Sequence, residues 1–451
     1  MRKVDATQGP LIKSIFIYAL PLVFTTLVQS LFSAVDTVVL GNMADTIAVA
    51  SVGAVSTVVN LFINGMVGIS SGTSTVLARY IGKGDKERIR ATIDTSMIAS
   101  VGFGILIATL GILLSPMFLR ITDCPDECYS GALTYLRIYF IASPATSIYN
   151  FGAAILRSSG DTKRPMLYIT ISGITNAVTN IILCLILENK IVAVAIATAL
   201  SKLMSGVLVS TRLLRADDVT RIDTKNMRFE LKSLGKILQF GLPSAVHSMI
   251  FPIANMQIVP AINAYGVDAM AGNTAGTTVM SLANTFTSAF GITTTTFMGQ
   301  NIGADNKSRT IKSLLLCLGF GVAISGVIGI FLYLTGEFWL SLILGAGASA
   351  AIVYGMSKIT YVVQFIFVNA ANSVLNHALQ SYGYPVFVSI SSIFFTLVFR
   401  IIWMQIIYPL YPTFDMIMIC FIVSWTLNML CYGVLILFIT HRYKRGIYKK
   451  I

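Results

Sequence analysis

The sequence predicts an all-α polytopic membrane protein, with twelve transmembrane helices in two pseudo-symmetric six-helix bundles. Composition gives the membrane. The chain of 451 residues is 55% hydrophobic and 11% charged, with a mean hydropathy of +0.79, whereas an ordinary soluble protein carries about 25% charged residues. An internal repeat gives the two halves. Leu20-Pro21 returns as Leu242-Pro243, 222 positions on, and Asp45 with Ala48 returns as Asp268 with Ala271, 223 on. Ile81-Gly82 with Lys86 and Arg88 returns as Ile302-Gly303 with Lys307 and Arg309, 221 on. Gly160 before Pro165 returns as Gly383 before Pro385. Biased composition yields a stray Leu-Pro pair, but it does not hold a series of landmarks in one order at one spacing.

About 20 apolar residues cross a bilayer as a helix. On that measure the spans fall at 12–41, 47–77, 93–119, 129–156, 165–187, 190–214, 235–263, 268–298, 312–339, 347–377, 386–409 and 414–440. No small-residue cleavage site follows the first, so it is expected to be a retained helix and not a signal peptide. Residues 1–214 form the expected first bundle, 215–234 a charged linker too short for a domain of its own, and 235–451 the second bundle.

The net charge of +13 points to membrane orientation and not to nucleic acid, because of where the bases fall. Alternate loops, both termini and the linker hold 26 of the 32 Lys and Arg, while the opposite loops hold only Arg120 and Lys190. Positive charge collects on the cytoplasmic side, so both termini are expected there, in a multi-pass plasma (inner) membrane protein. Six spans per half give both halves one orientation, related by an axis along the membrane normal, with a substrate site near the midplane.

Enzyme chemistry is not expected. There is no G-x-x-x-x-G-K-[ST] run to cradle a nucleotide phosphate, and three scattered histidines support neither a catalytic triad nor a zinc site. No cofactor is implied. Cys124 and Cys128 share an outer loop, where a disulfide and two ordinary thiols are both open readings. Proline recurs in span seven as Pro243, Pro252 and Pro260, each removing a helix hydrogen bond and allowing a kink.

Acidic residues are the sharpest probe, because a carboxylate in hydrocarbon costs several kcal/mol. Nearly all of the 19 lie in loops or at span ends. Asp36 is the exception, inside Ser33-Ala34-Val35-Asp36-Thr37-Val38-Val39-Leu40. Helix rise of ~1.5 Å per residue puts it roughly 8 Å below the outer end of its span. Asn180 and Thr198 come out roughly 12 Å deep in spans five and six, and Asn176 shares a helical face with Asn180. One carboxylate with amide and hydroxyl oxygens suits a hard monovalent cation such as sodium, and a lone Asp suits a proton. A helix–helix hydrogen-bond cluster uses the same residue types. Lys202, on the Thr198 face, is an alternative partner for Asp36. The second half has buried bases and no buried acid: Lys358 in span ten, Arg400 in span eleven, and His247 in span seven. Lys358 and Arg400 read either as groups snorkelling or bonded to helix carbonyls, or as the wall of a cavity for an anionic or zwitterionic substrate; His247 reads either as a satisfied packing residue or as a ligand.

Several runs together resemble the MATE family, the multidrug and toxic compound extrusion transporters of prokaryotes. They are Leu20-Pro21, Val35 to Gly41, Ile81-Gly82-Lys83-Gly84-Asp85, Gly160-Asp161-Thr162-Lys163-Arg164-Pro165, Asn176 with Asn180, Ala197-Thr198, and Gln300-Asn301-Ile302-Gly303. The likeness covers roughly residues 10–440. It implies two six-helix bundles arranged as a V, export driven by sodium or proton entry, and a first-half cation site on Asp36, Asn176, Asn180 and Thr198. The chain departs from the pattern in three places. Asn180 stands where many members have aspartate, Phe251 where some have glutamate, and residues 361–377 lack the acid that some carry.

The expected function is therefore a cation-coupled antiporter, using Na+ or H+, that exports small amphipathic compounds or drugs by alternating access. Candidate substrate-binding residues are Lys358, Arg400 and His247. The alternative is a flippase for a lipid-linked or polyprenyl substrate, which a basic cleft would also suit. The expected partners are a small-molecule substrate and the lipid bilayer, with a monomer as the unit.

Overall fold

The computed structural model describes residues 3–43, 46–122, 124–345 and 347–445, without the side chains at 33–38, 40–43, 46 and 49. Two features set its outline: long apolar stretches make helices, and proline or polar turns end them. The helices α1 (Leu11–Met43), α2 (Thr46–Lys83) and α3 (Lys86–Ile121) are followed by two shorter ones, α4 (Asp126–Ile141) and α5 (Ser143–Ser158), and then by α6 (Lys163–Ile186) and α7 (Lys190–Leu214). A linker leads to α8 (Leu231–Met256), α9 (Val259–Asn263), α10 (Val267–Gly303), α11 (Lys307–Leu334) and α12 (Gly336–Leu344). Next come α13 (Ser349–Lys358), a π-helical turn at Ile359–Val363, α14 (Ile366–Tyr382) and α15 (Pro385–Ser392). The chain closes with a π segment at Ile393–Val398, α16 (Phe399–Ile402), a second π segment at Trp403–Ile407, and α17 (Phe414–Lys444).

Among the described residues, nine helices are long and apolar enough to cross a membrane, or ten if the bent pair Ser349–Val363 and Ile366–Tyr382 is one span. All twelve expected segments are helical, but several are not single straight helices. The fourth divides at Ala142, with Pro144 in the first turn of α5. The seventh breaks between α8 and α9, where Pro260 opens the second piece. The tenth bends by 43°. Neither α4, α5 nor α10 is among the nine. The first two are short, and α10 is rich in Thr and Gly.

Compact packing divides the chain into two units. Unit 1 is Met1–Asp5 with Phe24–Ala245, and unit 2 is Ala6–Val23 with Val246–Ile451. The division falls inside α1 and α8, and the linker belongs to unit 1. In unit 1, α5 packs against α2, α3 and α7, and α6 lies along α7. One apolar core gathers Val55, Leu119, Leu136, Phe140 and Ala193, another Leu77, Ile93, Leu156 and Leu213. Small residues set the closest approach: a Cβ on Gly241 of α8 would stand 2.6 Å from the Ile69 carbonyl oxygen of α2. Membrane helices use such positions to meet backbone to backbone, since lipid gives apolar side chains no reason to prefer protein.

In unit 2, α10 packs along α11, α13 and α14 around Val279, Ala283, Ile359, Val362, Ile366, Ile417 and Trp425. The repeat seen in sequence recurs as turn geometry. Gly84 and Asp305 both take positive φ, 72° and 58°. One residue on, Asp85 and Asn306 each accept a hydrogen bond from the backbone N–H three residues later, at Arg88 (3.2 Å) and Arg309 (3.0 Å). These are N-caps, which satisfy donors that the first turn of a helix leaves open.

Candidate functional site

Unit 1 brings α6 and α7 together through small polar residues. The Ser172 hydroxyl donates to the Ser201 carbonyl at 2.5 Å, and the Ser201 hydroxyl donates to the Thr198 carbonyl at 2.8 Å. Next to Ser172, the missing side chain of Gly173 makes a notch that the Phe32 ring of α1 occupies; a Cβ there would overlap the ring. Three helices are thus fixed at one level by Phe32, Gly173, Ser172 and Ser201.

The predicted residues lie just beyond that level. Asn176 and Thr198 are 4% and 8% exposed, and Asn180 is fully buried. The Asn176 amide oxygen, Oδ1, is buried and accepts no hydrogen bond among the described residues, which is unusual because most buried polar atoms find partners. Thr198 donates its hydroxyl to the Val194 carbonyl at 2.9 Å, leaving the oxygen lone pairs available. The Asp36 side chain lies outside the described residues, although its backbone is part of α1. Lys202 is partly buried.

Unit 2 buries both predicted bases. Lys358 is 4% exposed and Arg400 is 0%. The Lys358 ammonium donates to Asn273 Oδ1 at 2.8 Å and to Thr277 Oγ1 at 2.6 Å, both on α10. Gly276 leaves room for its stem, whose Cβ and Cδ would be 3.1 Å from a Cβ at 276. Arg400 donates to Asn255 Oδ1 at 2.8 Å and reaches Ser424 Oγ at 3.3 and 3.4 Å. Its guanidinium lies 4.2 Å from the centre of the Phe421 ring, and the Lys358 ammonium lies 5.7 Å from the same centre. Both cations therefore bear on one aromatic ring. Among the described residues neither forms an ion pair.

His247 is half of a different arrangement. Its Nε2 lies 2.6 Å from Asn376 Nδ2 and its Nδ1 lies 2.7 Å from Ser392 Oγ. An amide nitrogen only donates, so Nε2 accepts and the proton sits on Nδ1. Gln380 donates to Asn376 at 2.6 Å, and Tyr432, 2.8 Å from Ser392, donates to the Val388 carbonyl at 3.1 Å. The result is a one-way donor chain from Gln380 to Val388 in which both histidine nitrogens are engaged. Sequence reasoning missed Phe421, Asn376 and Gln380. The amides had a readable signal, since Asn369, Asn372, Asn376 and Gln380 recur at helical spacing. Phe421 had none, because phenylalanine is common throughout the chain.

In unit 1, Lys3 pairs with Asp218 of the linker at 2.8 Å, and Arg212 pairs with it at 3.2 Å. Burial opposes ionisation of Asp218, but hydrogen bonds from Lys3 and from the Thr220 hydroxyl and N–H outweigh it and hold the carboxyl well below its usual range. Cys124 and Cys128 are both free thiols, and burial followed by the neighbouring Cys128 and Asp126 raises the Cys124 thiol above its usual value.

A duplicated helical bundle with polar and charged side chains buried in its spans has the build of a membrane transporter. The MatE family model matches the chain twice, over residues 21–185 and 243–406, once in each half of the repeat. The chain belongs to that family, the MATE transporters, and is not an enzyme. It is 25% identical over 383 residues, 85% of each chain, to the probable multidrug resistance protein YpnP of Bacillus subtilis (strain 168). It is 27% identical over 301 residues to the FAD transporter of Shewanella oneidensis, covering 64% of this chain and 65% of that one. It shares its fold with a solved structure described as the outward-facing conformation of a multidrug resistance MATE family transporter of the MOP superfamily, with a TM-score of 0.91 at 22% identity over 99% of both chains.

Proposed function

We propose that this MATE transporter is a cation-coupled exporter of small amphipathic compounds, with its coupling cation held by Asp36, Asn176, Asn180 and Thr198. The observation that carries the reading is the buried amide oxygen of Asn176, which accepts no hydrogen bond among the described residues. Leaving such an atom unmatched costs about 1–3 kcal/mol, and a small cation or a protonated carboxyl would match it. Register supports the rest. The odd-numbered spans α1 and α6 run the same way, and α7 returns against α6. One turn beyond Phe32 on α1 comes Asp36, one turn beyond Ser172 on α6 comes Asn176, and one turn beyond Ser201 on α7 comes Thr198. One carboxylate among neutral oxygens suits sodium or a proton.

Coupling follows from differential affinity. The cation, entering from outside, favours one arrangement of the bundles, and the substrate favours the other. Moving the balance from 1:99 to 99:1 requires about 5.5 kcal/mol. A membrane potential supplies roughly 2.3 kcal/mol per charge per 100 mV, so the chemical gradient and the substrate contribute the remainder. Both termini lie in the cytoplasm on this reading, where positive charge collects. Relatives are named for multidrug resistance and for FAD, so membership in the family leaves the cargo open; Lys358 and Arg400 are the substrate contacts, and His247 acts only through its donor chain.

The test is flux in proteoliposomes under separately imposed sodium and proton gradients. Asp36→Asn is expected to abolish gradient-driven export while the protein still purifies as a folded species. Undiminished export by that variant would overturn the coupling role.

A further inference from the structure

Among the described residues, two positive side chains are buried in unit 2 with no carboxylate paired to either. A base inside a membrane span is retained only where something compensates it. The neutral partners are incomplete. Lys358 uses two of its three N–H donors, on Asn273 and Thr277, and Arg400 engages Asn255 closely but reaches Ser424 only at 3.3 and 3.4 Å. The acid nearest in sequence to Phe421, Asp415, accepts from the Ser357 hydroxyl. The Phe421 ring face attracts both cations, yet a quadrupole does not neutralise two charges.

The backbone makes an independent case. Lys358 is the last residue of α13, directly before the π-helical turn Ile359–Val363. Arg400 lies in a four-residue α segment between the π segments Ile393–Val398 and Trp403–Ile407. π-Helical turns are rare, and they cluster where a functional side chain has to be turned out of the regular helical register. Both bases sit at such places, on two different spans, and both come to one ring.

We propose that Lys358, Arg400 and Phe421 form a receptor for an anionic headgroup, a phosphate or carboxylate carried on an apolar or aromatic body. This rests on the transporter reading above and deepens it by naming the charge of the cargo. Lys358 supplies a point charge with a donor to spare, Arg400 supplies the planar fork that matches two oxygens of a carboxylate or phosphate, and the Phe421 ring gathers both cations at one place. An organic cation would meet two like charges here and be excluded.

The probes are phenyl phosphate and phenyltrimethylammonium, one ring with opposite charges, titrated calorimetrically into the full chain in nanodiscs of zwitterionic phosphatidylcholine. Phenyl phosphate is expected to bind saturably and the ammonium compound not at all. Lys358→Met is expected to weaken phenyl phosphate by roughly tenfold or more, and Lys358→Arg to restore most of it. Because Arg400 is fully enclosed, Arg400→Lys is the second variant, chosen to keep the charge and lose the fork; it is expected to weaken phenyl phosphate while the preference over phenyltrimethylammonium is kept. Adding phosphatidic acid separates the sources: competition with phenyl phosphate identifies a lipid phosphate as the occupant, and no competition identifies a soluble anion. Equal binding of the two phenyl compounds, or phenyl phosphate affinity unchanged in Lys358→Met, overturns the proposal. Binding in nanodiscs is read with no sodium or proton gradient, so loss of gradient-driven coupling alone does not read as loss of the anion receptor.

Discussion

The Phe32 ring of α1 occupies the notch left by Gly173 of α6, so closely that a single Cβ at 173 would overlap it. This contact sets the register of α1 against α6 one turn before Asp36 and Asn176. Gly173→Ala is therefore expected to destabilise the protein by about 1–3 kcal/mol through overpacking and to raise the coupling-ion concentration needed for half-maximal flux. Phe32→Leu in the same chain is expected to recover much of both. Thermal unfolding and ion-dependent flux check it; a double variant no better than Gly173→Ala would show that the ring and the notch are not coupled.

Asn176→Leu removes the buried amide oxygen and keeps the volume. The prediction is a rise of roughly tenfold in the apparent coupling-ion constant with little loss of thermal stability, because an unmatched acceptor is also removed. A large loss of stability with ion dependence unchanged would mark Asn176 as helix glue instead.

Asp218 gives a pH dependence with a definite sign. Its carboxyl is held below the unfolded value of about 3.9 by Lys3 and Thr220 against the opposing effect of burial. Its contribution is therefore fully present above the unfolded value and is lost as pH falls through the folded one. Asp218→Asn should lower the melting temperature slightly at pH 7, by less than about 1 kcal/mol in equivalent stability because the pair is part-exposed. The gap should close only in strong acid. A gap that closes between pH 5 and 7 would assign the effect to another group.

Arg309 holds the segment before α1 by three carbonyls, donating to Ala6 at 2.8 Å, Gln8 at 2.7 Å and Gly9 at 3.0 Å, all within unit 2. Asn301 adds a bond to Ala6 at 3.0 Å. Arg309→Ala is expected to speed amide hydrogen exchange at residues 6–9 by roughly tenfold or more, charge-assisted bonds being worth ~1.5–3 kcal/mol each, with little change in the helices. Arg309→Lys should recover only part of the protection, since a single ammonium does not reproduce the fork.

Much of the candidate site is legible in the sequence, for one physical reason: in hydrocarbon, a polar residue is costly enough to stand out. That is why Lys358 and Arg400 could be singled out from two letters in apolar runs, and why Asn176, Asn180 and Thr198 could be grouped by depth. Phe421 and Gly173 could not be found this way. A phenylalanine or glycine in a span is ordinary, and its role depends on which neighbour it meets. The α–π alternation around Arg400 was equally hidden, since Ile393 to Ile407 reads as one uniform apolar helix.

The sequence by itself determined the membrane class, the helical segments and the duplication, because each follows from local hydropathy or from comparing the chain with itself. Only the tertiary structure decided where those helices break, that the compact units divide within α1 and α8 and not at the linker, and that two bases 42 positions apart in the chain share one aromatic ring. Those outcomes depend on close packing between distant segments, where a missing methyl group or one extra residue in a helical turn decides which side chains meet.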